Sequence, residues 1–327
     1  MRKRISVSVL SVIFAAMCVF GLAACAERKG GNGNENGNTV DTTGFQYALN
    51  GDEASYAVTG IGTVTDNEIV IPAKYNDMPV TAIGDSAFSG CSNLKSITMS
   101  DSVVSIGNQA FSGCTELTAV SMPLYLKSIG DGAFGGCGKL ENITLPSSVT
   151  DIGLFAFIGC DSLQYNHYED AEYLGNPGNP YLALIKASDS DITSCTVHAQ
   201  TKFIYDSAFM YCGSLTSINL GAAVTKIGYS AFEGCSSLTS ITIPSMVTSI
   251  SDFAFRDCGE LASVTLPVSL TSIGDGAFYN CLSLKNVTYK GSEEQWQTIA
   301  KGESWNVNTH EDFTVTCNDV VLSKEER

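Results

Sequence analysis

The motif Ile-Gly-x-x-Ala-Phe-x-x-Cys recurs along most of this chain, and its pitch restricts what the chain can fold into. The leading isoleucines stand at Ile83, Ile106, Ile129 and Ile152, then at Ile204, Ile227, Ile250 and Ile273, with 23 residues between neighbours in each group. A fixed period of this length is the signature of a solenoid, because one repeat cannot bury its apolar face alone and must bury it against its neighbours. Such a chain offers an extended surface rather than a pocket.

One repeat can be read residue by residue. In Leu140 to Gly153 the apolar residues Leu140, Ile143 and Leu145 follow an L-x-x-L-x-L spacing. The alternation of Asn142-Ile143-Thr144-Leu145 predicts a short strand with Ile143 and Leu145 inward. Pro146 ends it by removing a backbone donor, and Val149 and Ile152 return the chain to the core through an extended stretch. Asp131-Gly132-Ala133-Phe134 reads as one helical turn capped by Asp131. Stacking then lines up Phe88, Phe111, Phe134, Phe157, Phe209, Phe232, Phe255 and Phe278 in a core column at strand spacing.

This pattern resembles the BspA-like, or treponemal-type, class of leucine-rich repeats over about residues 61 to 290. The resemblance implies right-handed coils, one parallel sheet, and bacterial surface proteins that bind host or neighbouring-cell components. The fold class expected is an α/β-type repeat solenoid with short helical turns and capped ends. Ser100, Gly221 and Lys290 replace the proline after the strand, and Ser251 replaces the glycine after Ile250. These changes soften local turns without breaking the register.

The cationic Met1-Arg2-Lys3-Arg4, the apolar Ile5 to Phe20 and the small residues before Cys25 have the order of a secretory signal. Leu22-Ala23-Ala24-Cys25 resembles the box of bacterial lipoproteins, which implies a lipid on Cys25 and cleavage just before it; an ordinary signal peptide is the alternative. The Gly- and Asn-rich run from Gly30 to Asn38 has nothing apolar to bury and reads as a tether. The expected organisation is a signal peptide at 1–24, a tether at 25–43, the solenoid with its N-terminal cap at 44–290, and a C-terminal cap and tail at 291–327. Loss of the signal removes Arg2, Lys3 and Arg4 and no acid from a chain whose net charge is already −16. That balance argues against nucleic acid and anionic lipid head groups as direct partners. The membrane would be reached only through the anchor, with the protein on the cell surface and facing outward.

The array is interrupted between Ile152 and Ile204. Ser194 to Ile204 aligns with Asn142 to Ile152 as a disguised repeat, which leaves an insert at residues 165–186. Asn176 to Pro180 reads as a turn and Tyr181 to Ile185 as an extra strand. Solenoid insertions emerge on one face and often bind ligands, so Tyr165, Tyr168, Tyr173 and Tyr181 are candidates for a binding surface. The alternative is that they pack the insert onto the coils.

Eight of the twelve cysteines stand in the motif, at Cys91, Cys114, Cys137, Cys160, Cys212, Cys235, Cys258 and Cys281. An identical small residue in every coil suits a buried thiol ladder; disulfides between neighbouring coils are the alternative in an exported protein. No C-x-x-C pair or histidine accompanies the column, so no metal is expected. Asp85, Asp131, Asp206, Asp252 and Asp275 form an acidic column interrupted by Asn108, Leu154 and Tyr229, and are assigned to capping. His167, His198 and His310 are widely separated. Neither H-E-x-x-H, G-x-S-x-G nor G-x-x-x-x-G-K-S/T occurs, and neither catalysis nor a cofactor is expected.

The outward strand positions form a nearly uncharged hydroxyl array, Thr98, Thr144, Thr196, Thr242 and Thr265 among them. Threonine suits exposed strands for reasons of packing alone, and a docking face for protein or glycan is the functional reading. Trp296 and Trp305 lie in the C-terminal segment, either covering the last coil or stacking on a carbohydrate. The function expected is lipid-anchored surface binding or adhesion to an extracellular protein or glycan. An envelope hydrolase with its site in the insert, or a structural spacer, are the alternatives.

Overall fold

A computed structural model describes residues 44–318 and 320–322, so the expected signal peptide at 1–24, Cys25 and the expected tether at 25–43 fall outside the described residues. The chain divides into two compact units, Met1–Gln164 and Tyr165–Arg327.

The first unit holds β1 (Gln46–Leu49), β2 (Tyr56–Gly60), β3 (Glu68–Ile71), β4 (Lys74–Tyr75), β5 (Met78–Ile83), β6 (Ser96–Met99), β7 (Ser105–Ile106), β8 (Ala119–Ser121), β9 (Ser128–Ile129) and β10 (Asp151–Ile152). Two strands per coil make two parallel ladders. In one, β3, β6 and β8 align Ile69, Ile97 and Val120. In the other, β5, β7, β9 and β10 align Ile83, Ile106, Ile129 and Ile152. The family resemblance implied one parallel sheet; the Ser-Ile stretch supplies the second. Its extended backbone reaches the neighbouring coil, as where the Gly130 amide donates to the Ile106 carbonyl at 2.8 Å. β1 pairs antiparallel with β2, and Phe45 meets Phe88 edge-on at 5.9 Å.

The second unit opens with β11 (Asn166–Tyr168), β12 (Ala171–Asn176) and β13 (Asn179–Ala187), joined antiparallel in sequence. β13 contains the strand expected at Tyr181 to Ile185. Coils then alternate β14 (Ser194–Thr196), β15 (Phe203–Ile204), β16 (Ser217–Asn219), β17 (Lys226–Ile227), β18 (Ser240–Thr242), β19 (Ser249–Ile250), β20 (Ser263–Leu266), β21 (Ser272–Ile273) and β22 (Asn286–Tyr289). After them come α1 (Glu293–Thr298), β23 (Ala300–Lys301), β24 (Thr314–Thr316) and β25 (Val321–Leu322). One ladder runs β13-β15-β17-β19-β21-β23; β14 pairs with β16, and β18-β20-β22-β24-β25 form the other sheet. The disguised repeat takes its place here, with Cys195 buried beside Ile218 in the ladder.

The segment from Asp131 to Cys137 is a turn rather than the expected helical turn, and its hydrogen bonds show why. Alternate amides leave the coil: those of Gly132, Phe134 and Gly136 donate to carbonyls of Leu154, Ala156 and Ile158 at 2.8, 2.8 and 2.7 Å. The amides between them close local four-residue turns, such as Gly135 to Gly132 at 2.9 Å. An α-helix would keep every amide within the segment; here half of them bind the next coil. Gly132 and Gly136 are left-handed to permit the alternation, with φ of 58° and 74°. Counted over both units, the architecture is a leucine-rich-repeat β-solenoid of about ten turns with almost no helix.

The core follows the columns. Phe88, Phe111, Phe134, Phe209, Phe232, Phe255 and Phe278 are fully buried. Neighbouring rings stack, 5.2 Å apart at 10° for Phe111 and Phe134, and 5.2 Å apart at 1° for Phe232 and Phe255. Trp296 and Trp305 are both buried, and Trp305 meets Phe278 edge-on at 6.2 Å. Neither therefore offers an exposed stacking face.

The acidic column caps across coils rather than within its own turn. Asp85 Oδ1 accepts from the Asn108 amide at 2.6 Å, Asn108 Oδ1 from Asp131 at 2.8 Å, and Asp131 Oδ1 from Leu154 at 2.7 Å. Asn108 thus continues the column it was expected to interrupt. This contact dictates the motif glycine. A Cβ on Gly107 would stand 2.5 Å from Asp85 Oδ1, and one on Gly228 would stand 2.5 Å from Asp206 Oδ1. Where the preceding coil carries Tyr229 instead of an acid, Ser251 replaces the glycine and its hydroxyl donates to Ile227 O at 2.6 Å.

Candidate functional site

The outward strand columns are the surface that the sequence singles out, and the ladders set their geometry. In the first unit Thr98 lies between Val70 and Ser121 on paired strands, and Thr98 and Thr144 are exposed. Val70, with 63% exposure, begins this row. In the second unit Thr196 pairs with Asn219, and Thr242, Thr265, Thr288 and Thr316 are aligned on four successive strands. Thr196 and Thr242 are exposed and Thr265 is half-buried. Thr316 escaped the sequence reading, although Thr314-Val315-Thr316 shows the period-two alternation that finds such strands.

The row is partly cross-linked. Asn286 Nδ2 donates to Thr316 Oγ1 at 2.7 Å, and Thr288 Oγ1 donates to Asn286 Oδ1 at 2.8 Å. At β14, the Glu169 carboxylate accepts from the Thr196 amide at 3.2 Å. A backbone ladder fixes the spacing of these hydroxyls, so a ligand meeting them would order little that is not already ordered.

The insert tyrosines gather, but mostly inward. Tyr173 is fully buried, so it is a core residue and not part of a binding surface. Its hydroxyl oxygen accepts from the His198 amide at 3.4 Å. Tyr168 and Tyr181 are half-buried, and their rings lie 4.8 Å and 4.1 Å from the His198 imidazole. His198, at the proline position of the repeat, packs against this cluster. Tyr165 lies under Lys186, whose Nζ is 4.9 Å from the ring centroid. Packing accounts for the cluster better than recognition does.

The thiol column is a hydrogen-bonded ladder. Cys114, Cys137, Cys160, Cys212, Cys235, Cys258 and Cys281 are reduced and buried. Six of them aim Sγ at the carbonyl of a motif phenylalanine in the coil before, as Cys137 does to Phe111 O at 3.2 Å and Cys258 to Phe232 O at 3.1 Å. Alanine would match the size without supplying that weak donor. Desolvation pushes Cys114 and Cys160 up to about 12 and Cys212 to about 11, and it raises Cys137 and Cys235 further. Such thiols are poor nucleophiles and poor metal ligands. Cys91 corrects the expectation of eight reduced residues: it opens the column, with no cysteine in the coil before it, and is disulfide-bonded. Among the described residues, no group of three or more His, Cys, Asp and Glu side chains could hold a metal ion, and no helix is long and apolar enough to cross a membrane.

With two ladders, a phenylalanine stack and an inter-coil Asp–Gly contact in place, the class is a leucine-rich-repeat solenoid. The chain belongs to the BspA type leucine rich repeat family, whose model matches residues 68–176 and 187–302 in six copies. Among solved structures, a leucine rich cell surface protein from Faecalibacterium prausnitzii A2-165 is 26% identical, covering 82% of this chain and 98% of its own, with a TM-score of 0.38. A leucine-rich repeat protein from Bacteroides ovatus is 23% identical, covering 87% of this chain and 77% of its own, with a TM-score of 0.40. One from Bacteroides capillosus is 32% identical over 35% of this chain and 87% of its own, with a TM-score of 0.33. No curated protein matches the chain.

Proposed function

We propose that this chain is a lipid-anchored bacterial cell-surface protein that binds an extracellular protein or glycan without catalysis. The observation that supports this reading is the row from Thr242 to Thr316: aligned, largely uncharged polar side chains on a rigid parallel ladder, with no core role of their own. Cys25 is the lipid acceptor in this reading, and residues 25–43 hold the coils clear of the membrane. Phe45 against Phe88, and Trp296 and Trp305 beyond Phe278, close the open ends of the stack, where apolar surface must otherwise meet water. The insert at 165–186 serves chiefly as a packed connector, because its central tyrosine is in the core.

The test is a binding screen of the exported chain against matrix proteins, glycans and envelope extracts. Thr265→Arg places a bulky cation in the row and is expected to remove the retained ligand while leaving the unfolding midpoint nearly unchanged. Retention identical to the parent chain would remove the strand face from the proposal.

A further inference from the structure

The second left-handed position of each turn separates one strip of the second unit from the rest of the array. Gly90, Gly113, Gly136 and Gly159 occupy this position in the first unit, all with positive φ. In the second unit it holds Tyr211, Gly234, Asp257 and Asn280, with φ of 59°, 72°, 59° and 61°. Glycine adopts this backbone freely, whereas a bulky tyrosine there is an outlier. The core does not account for it, since Tyr211 is 60% exposed. Its ring lies across the next coil, where a Cβ on Gly234 would stand 2.5 Å from Tyr211 Cδ1 and 3.0 Å from Cε1. Phe253 repeats the device at the other left-handed position, with φ of 55° and its ring over Gly276. Backbone strain that serves a ring laid on the surface, and not the core, is a pointer to function.

Polar groups continue the column. The amides of Tyr211, Gly234 and Asp257 donate to Glu233, Arg256 and Tyr279 at 2.7, 2.8 and 2.9 Å, so these residues sit on adjacent coils. A ring crossing Gly234 is therefore followed by Asp257 and Asn280. Asn280 Nδ2 donates to Asp257 Oδ1 at 2.7 Å, and Arg256 Nε stands 3.3 Å from Asp257 Oδ2. The guanidinium carbon lies 5.4 Å from the Phe253 centroid and 5.7 Å from that of Tyr279.

We propose that this strip, a second surface distinct from the hydroxyl rows, is a binding site for a neutral saccharide. Tyr211 is its stacking platform, and Asp257, Asn280 and Arg256 are its hydroxyl partners. A flat, exposed ring matches the apolar C–H face of a pyranose. A carboxylate beside an amide and a guanidinium offers acceptors and donors side by side, which suits vicinal hydroxyls that both give and accept. The groups are held by one another, so little ordering is needed on binding. Anionic sugars fit poorly: Arg256 is matched by both Glu233, at 3.9 Å, and Asp257, and the whole chain carries −16.

The test uses the exported full chain on an array of neutral hexose and N-acetylhexosamine oligosaccharides with sialylated counterparts. The parent chain and Tyr125→Ala, an exposed tyrosine of the first unit, are expected to retain the same neutral glycan. Tyr211→Gly and Asp257→Asn are expected to bind it at least about tenfold more weakly, roughly what one lost stacking or hydrogen-bonding group costs. Tyr211→Gly should melt no lower than the parent, because glycine relieves the left-handed backbone; lost binding in a fold at least as stable excludes a merely structural effect. Undiminished binding by Tyr211→Gly, or retention of sialylated glycans alone, overturns the site. Loss of glycan binding in Thr265→Arg but not in Tyr211→Gly moves recognition to the strand face and likewise overturns it. Retention of a protein but no glycan sinks the saccharide site and leaves surface binding standing, while retention of nothing sinks both.

Discussion

In most repeats the glycine after the motif isoleucine and the acid or amide two places on in the coil before are one device shared between coils. Asp206 Oδ1 caps the Tyr229 amide at 2.8 Å and fills the space a side chain on Gly228 would need. Gly228→Ala is expected to cost about 1–3 kcal/mol, as overpacking does, whereas Ser251→Gly should stay within about 1 kcal/mol; urea unfolding of the two variants checks the contrast. The thiols make a second prediction. Burial raises Cys114, Cys160 and Cys195 from 9.0 to about 12. The unfolded chain therefore releases these protons first as pH rises, and the stability that the neutral thiols contribute, complete below pH 9, is lost between pH 9 and 12. The urea midpoint should fall between pH 8 and pH 10.5; a midpoint rising over that interval would contradict the burial of the column. In the folded protein at pH 8 the seven reduced motif cysteines should resist iodoacetamide until denaturant is added.

At the scale of the element, the strand and the turn have different tasks, and mutations should separate them. Phe134→Ala removes a fully buried ring stacked on both sides, 5.2 Å from Phe111 and 5.8 Å from Phe157; about 3–5 kcal/mol is expected. Thr144→Ala, on the exposed face, should cost under about 1 kcal/mol, and similar midpoints for the two would reverse the inward and outward assignment. Inward and outward positions were legible because a strand alternates with period two and the Phe column repeats without exception. The turn was misread, since Asp131-Gly132-Ala133-Phe134 has helix-like local chemistry and only the neighbouring coil reveals where its amides donate. The second parallel ladder escaped for the same reason: two residues such as Ser128 and Ile129 carry no strand pattern of their own. Tyr173 was placed with its surface neighbours because composition marks an aromatic insert but not which ring turns inward. Tyr211 passed unnoticed, although a tyrosine where five of the repeats carry glycine was visible in the motif itself.

Over the whole molecule, each unit carries its own stack of phenylalanines, Phe88 to Phe157 in one and Phe209 to Phe278 in the other. The anchor is tested on the intact chain: Cys25→Ala should leave an uncleaved precursor or release the protein from the membrane fraction, and unchanged processing and fractionation would remove the lipid from the proposal. The contact between Asp85 Oδ1 and the Asn108 amide joins equivalent positions 23 residues apart, and the same pairing recurs from Asn108 to Asp131. Deleting residues 108–130 would bring Asp131 to the amide position that Asn108 now fills, with Phe134 next to Phe88, so a protein one coil shorter should still unfold cooperatively. A gene built this way tolerates slippage during replication provided the slip spans a whole repeat, and lineages can lengthen or shorten the exposed surface without inventing a new contact.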